Sequence, residues 1–112
     1  MTRSLRTSFS FAEWPERDRT YWEAGTRKGE IFEPDGRAAH WAEPTRIQVA
    51  KGYGKWLWAL HSFVTLDPEV SPGTRVTEGH LRRYVEILER QGLSSVTIAS
   101  RLTDLMEAIR VM

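Results

Sequence analysis

No cysteine occurs among the 112 residues, which excludes disulfides, thiolate metal sites and cysteine nucleophiles and makes a reducing, cytoplasmic setting the expectation. Long apolar runs are missing as well. Nothing approaches the roughly 18–20 residues that span a bilayer, and the opening MTRSLRTSFSF lacks the apolar core of a signal peptide, so a soluble protein with no membrane partner is expected. His40, His61 and His80 stand far apart, with no i,i+4 pair and no H-E-x-x-H, so no metal and no other cofactor is expected. Strict apolar/polar alternation is absent, which argues against strands. The most informative absence is local: from Pro44 through Leu66 there is no acidic residue, although 16 Lys+Arg against 15 Asp+Glu nearly balance over the chain.

That gap concentrates charge. Residues 1–44 carry a net −1, 45–64 a net +3, 65–93 a net −1 and 94–112 zero, so a weakly basic chain has one distinctly basic strip, as a protein that grips a polyanion would. The rest of the composition, 28% charged and 40% hydrophobic, is that of one ordinary globular domain. The five tryptophans read first as core residues rather than as platforms for bases.

The pattern divides into an arm and four helices. Residues 1–13 are polar and basic without a period and read as a flexible N-terminal arm, leaving 14–112 as the domain. Pro15, followed by Glu16 and Asp18, opens a first helix over about 15–28, and the two acids are expected on its surface. Glu30 to Glu43, with Pro34-Asp35-Gly36 at its centre, reads as a loop with a short helical turn at Arg37 to Trp41. A second helix runs from Pro44-Thr45 to about Val64. At about 100° per residue, Ile47, Ala50, Tyr53, Leu57, Leu60 and Val64 share one side of it, while Gln48, Lys51, Lys55 and Ser62 share the opposite side. Gly52 and Gly54 inside it each cost about 1 kcal/mol relative to alanine, which implies either close packing of a neighbouring backbone, the preferred reading, or a bend. Leu66 to Val76 reads as a connection. Thr77 caps a third helix that ends at Gly92, and Ser94 or Ser95 caps a fourth whose apolar stripe, Ile98 through Met112, runs to the last residue with no stop signal after it. The expectation is a natural chain that continues. Four one-sided helices on short connections must hide their stripes against one another, so the fold class expected is all-α, a compact four-helix bundle.

Taken in order, Trp22-Glu23-Ala24 to Gly29, Ala39-His40-Trp41, Gly52-Tyr53-Gly54-Lys55-Trp56-Leu57, Arg75-Val76-Thr77, Leu81-Arg82-Arg83-Tyr84 and Ser95-Val96-Thr97-Ile98 through Ile109 form a recognisable series. The series resembles the N-terminal core-binding domain of tyrosine recombinases, the phage-integrase type with a SAM-like fold, over roughly residues 14–112. The resemblance implies half of a clamp around duplex DNA, with the second and fourth helices facing it. It also implies a catalytic domain following in the same polypeptide, absent from these residues, and other recombinase subunits assembled in a synaptic tetramer. The implied reaction is attack of a tyrosine hydroxyl on a phosphodiester, without metal or cofactor, for DNA integration and recombination.

The residues themselves add candidates. Lys51 and Lys55 suit phosphate contacts and the Gln48 amide suits a base edge, whereas a merely solvated helix face is the plainer account. At the start of the fourth helix, Ser94, Ser95 and Thr97 offer hydroxyls beside free backbone N–H groups, with Arg101 one turn on from Thr97; a phosphate fits there, and simple capping is the alternative. The DNA-binding residues expected are therefore Gln48, Lys51, Lys55, Ser95, Thr97 and Arg101. His80-Leu81-Arg82-Arg83 matches the H-x-x-R spacing of the recombinase catalytic box, but it lies inside an amphipathic helix and no tyrosine follows Tyr84, so no catalytic residue is expected in this chain. Arg82 with Glu86 and Glu86 with Arg90 read instead as surface i,i+4 pairs. The rival class is a helical protein-interaction or oligomerisation module with an aromatic docking surface.

Overall fold

Thr77 and Ser94 each turn a side-chain oxygen back onto a backbone N–H that has no helical partner. Thr77 Oγ1 accepts from the His80 N–H at 3.1 Å, and Ser94 Oγ accepts from the Thr97 N–H at 3.2 Å. Each such cap stabilises its helix by about 1 kcal/mol. Pro44 lies in the first turn of another helix, where its missing N–H removes no helical bond. The structure, a computed structural model, describes residues 6–112 apart from Glu30 and Glu33. Four helices build it: α1 (Glu16–Thr26), α2 (Glu43–His61), α3 (Glu78–Arg90) and α4 (Ser95–Val111). No strand occurs among the described residues, and the architecture is a small all-α bundle.

The central element is α2. Its Tyr53, Trp56, Leu57 and Leu60 are buried to 0% exposure and meet Trp14 and Trp22 from the α1 side, Tyr84 and Leu88 from α3, and Leu105 and Ala108 from α4. Trp14, Trp22 and Trp41 form a run of aromatic contacts, and Trp56 meets Tyr84 edge-on at 5.1 Å, so the indoles serve mainly as core. The buried side of α2 is wider than the stripe expected for it, and Ile47, placed on that stripe, is 45% exposed because the first turns of α2 extend past the core.

The two glycines of α2 explain its crowding. They lie about 200° apart around the helix, on opposite flanks. A Cβ at Gly52 would stand 2.6 Å from the Asp104 Cβ of α4, and one at Gly54 would overlap the carbonyl oxygen of Phe9. The helix continues unbroken through both, so close packing is the reason for them.

Four expectations need correction. Residues 6–13 of the arm, of which 1–5 lie outside the described residues, are docked: Phe9 N–H donates to the Gly54 carbonyl at 3.0 Å, and Phe11–Glu13 form a short 3₁₀ turn closed by Ser10 and Glu13. Asp18 is not on a surface but at 0% exposure, because Arg75 and Tyr53 meet it in the core. Arg37 to Trp41 is a non-helical turn, and the connection before α3 contains a 3₁₀ turn, Pro72–Arg75, that carries Arg75 inward. On α3, Arg82 pairs with Glu78 and Arg83 with Glu86, so the surface pairing is real but its register differs. Gly92 ends α3 as expected, at φ 77°.

Candidate nucleic-acid interface

Because Gly52 lacks a side chain, α4 lies close against α2, and the exposed residues of both helices meet along the joint. Gln48 and Lys51 are exposed on α2, and Lys55 is half-buried one turn further on. From α4, Arg101 and Asp104 approach the same place. A groove of about 500 Å³ runs between the helices, with Gln48, Lys51, Lys55 and Asp104 on its walls and Gly52 at its floor. On the other flank of α2 a second groove, of about 400 Å³, is floored by Phe9, Phe11 and Trp14 and again edged by Lys51 and Lys55. The two lysines therefore form a ridge between two depressions.

The charges on this ridge are arranged to stay available. Every ion pair among the described residues involves an arginine outside the cluster, namely Arg6, Arg17, Arg46, Arg75, Arg82, Arg83 or Arg110, and none involves Lys51, Lys55 or Arg101. Burial, and then the neighbouring Arg101, lower the pKa of the Lys55 ammonium; Asp104 pulls it the other way and Lys51 lowers it further. Burial raises the pKa of the Asp104 carboxyl against the opposing influence of Gln48, Arg101 and Lys55. The carboxyl is held by one hydrogen bond, donated by Gln48 Nε2 to its Oδ1 at 3.4 Å. Beneath the cluster, the Tyr84 hydroxyl is buried close to the Arg101 side chain. Burial pushes it up to about 12, with Arg101 acting against that rise and Asp104 adding to it.

At the head of α4 the hydroxyls are partly committed. Ser94 Oγ caps the helix and lies 3.0 Å from Thr97 Oγ1, so capping accounts for both. Thr97, Arg101 and Asp104 follow one another along the side of α4 turned toward α2. Ser95 is exposed but stands about 120° around the helix from Arg101. The structure thus brings together Gln48, Lys51, Lys55 and Arg101, sets Thr97 one turn above them, and leaves Ser95 apart. Arg46, part of the basic strip, is 3.6 Å from Glu43, because α2 starts one residue earlier than expected and takes in that acid.

Asp104 and Tyr84 are the two residues of this site that sequence reasoning did not find. A signal existed for the first: Asp104 lies three residues after Arg101 on one stripe, and the unexplained Gly52 marked where a neighbour had to enter. His80 and Arg83 of the H-x-x-R match are otherwise engaged, His80 Nδ1 with the Arg75 carbonyl at 2.7 Å and Arg83 with Glu86 and the Phe63 ring. No protein-family model, curated protein or solved structure matches the chain.

Proposed function

We propose that the chain is a duplex-DNA-binding module, the SAM-like core-binding domain of a tyrosine-type site-specific recombinase, which grips DNA through the α2/α4 joint. The observation that carries this reading is the set of three cations, Lys51, Lys55 and Arg101, converging from two helices around a single acid, Asp104, which forms an ion pair with none of them among the described residues. A folded chain with a net charge of only +1 has little reason to gather like charges unless a polyanion disperses their repulsion. The resemblance in motif order supports the choice of family, and the helices it names as DNA-facing are the two that build the cluster. Strand cutting and rejoining belong, on this reading, to a catalytic domain of the same polypeptide, and other subunits complete the synaptic complex.

The test is a titration of duplex DNA at several salt concentrations. The logarithm of the binding constant falls with the logarithm of salt by about 0.9 for each phosphate neutralised, and K51E/K55E reduces both the affinity and that slope by about two contacts. Binding that ignores salt, or that survives the double charge reversal, sinks the proposal.

A second reading, a helical protein-interaction or oligomerisation module, has one observation in its favour. Between α3 and α4 lies an apolar groove of about 470 Å³ floored by Leu81, Val85, Leu102 and Met106, with Met106 44% exposed. Salt-independent self-association in sedimentation, abolished by Met106→Glu while DNA binding is absent, selects that reading.

A further inference from the structure

The Gln48–Asp104 hydrogen bond ties an exposed amide of α2 to a carboxylate of α4. An ionised carboxylate only accepts hydrogen bonds, whereas an amide donates from one end and accepts at the other. Asp104 therefore settles which end of Gln48 faces α4: Nε2 turns inward and donates at 3.4 Å, and the carbonyl oxygen and the remaining N–H of this exposed, groove-lining residue have no partner among the described residues. Asp104 is itself held where it is by the tight approach of its Cβ to Gly52, and Lys55 and Arg101 flank it. An outward edge with one acceptor beside one donor matches adenine in the major groove, which offers N6–H₂ as donor and N7 as acceptor. Guanine, with acceptors at both O6 and N7, does not match it.

Resting on the DNA reading above, we propose that Gln48 is a specificity-determining residue that selects an A·T pair, and that Asp104 is the positioning residue that orients it. Asp104 then has two opposed effects. It sharpens discrimination by holding the amide in one orientation, and it weakens overall attraction by placing a negative charge among three cations.

The experiment is selection of duplexes from a randomised library by the 112-residue chain and three variants, with each variant's fold checked by thermal unfolding. The unaltered chain enriches A·T at one position by roughly ten-fold, the discrimination of one good amide contact. Gln48→Ala removes that enrichment. Asp104→Ala also removes it, since the freed amide turns either way, and yet raises affinity for random duplex several-fold. Asp104→Asn removes the charge but offers a donor as well as an acceptor, so it raises affinity while its A·T preference falls between those of the unaltered chain and Asp104→Ala. A merely structural role for Asp104 would not separate these two readouts. Undiminished A·T enrichment in Asp104→Ala, or enrichment of G·C at the position that depends on Gln48, overturns the inference and leaves DNA binding standing. Failure of the unaltered chain to retain any duplex at low salt overturns the DNA reading and this inference with it.

Discussion

Two places in this bundle are assembled from the same three residue types, and they come to opposite ends. In the core, Asp18, Arg75 and Tyr53 close on one another: Arg75 Nη1 donates to Asp18 Oδ2 at 2.6 Å and Tyr53 Oη donates to the same oxygen at 2.5 Å. Arg75 Nη2 adds a bond to the Asp67 carbonyl at 3.0 Å. At the α2/α4 joint, Asp104, Arg101 and Tyr84 are neighbours held more loosely: no ion pair forms between the acid and the arginine among the described residues, and the arginine, not the acid, approaches the buried tyrosine hydroxyl. The first set is neutral within itself and is part of the architecture. The second lies beside the surplus charge of Lys51 and Lys55, and its Asp104 opens onto a groove. Residue type is the same in both; the balance of charge and the access of solvent separate a structural triad from a candidate binding surface.

The sharpest way to break this comparison is to remove the arginine from each place. Arg75→Ala leaves Asp18 buried and unpaired and costs about 3–5 kcal/mol in urea unfolding, whereas Arg101→Ala stays within about 1 kcal/mol. Equal costs would mean that the joint is as structural as the core. The glycines of α2 come next. Gly52→Ala and Gly54→Ala each lose about 1–3 kcal/mol by overpacking, but on different flanks. The first pushes α4 away and, on the proposed function, weakens DNA binding, and the second drives off the N-terminal segment and removes hydrogen-exchange protection from the Phe9 amide.

The smallest effect concerns the N-terminal segment alone. Arg6, together with the Ser10 backbone and hydroxyl, holds the Glu13 carboxyl down from 4.5 to about 2. A group depressed on folding lends its stability above the unfolded value and loses it as pH falls toward the folded one. The docking of Phe9 therefore weakens between about pH 4.5 and 2, ahead of global unfolding, as hydrogen exchange at Phe9 checks.

How much of this was readable from residue order depends on the distance over which each feature is decided. The caps at Thr77 and Ser94, the stop at Gly92 and the first-turn Pro44 are settled by a few neighbouring residues, and α3 and α4 fall where those signals put them. The free face of α2 was legible from period and from the missing acids. Asp18 was misread because an acid in a first turn fits a helix surface equally well, and only the 57 residues separating it from Arg75 bring in the partner that buries it. Asp104 was missed for the same reason: its significance arises from Gly52, on another helix. Residues 6–13 lack any period of their own, and their order comes from Gly54, whose carbonyl accepts the Phe9 N–H and whose missing side chain leaves room for the Phe9 carbonyl.

The separation of the indoles into two neighbourhoods has a practical sequel. Trp14, Trp22 and Trp41 lie together near the N-terminal segment, while Trp56 abuts Tyr84 and, through it, the surroundings of Arg101. With the other indoles replaced by phenylalanine, Trp56 emission becomes an intrinsic optical gauge of events at the joint, read without attaching any dye. A chain keeping Trp14 in its place gauges the opposite flank, so occupancy of one side and detachment of the other can be followed as two independent signals.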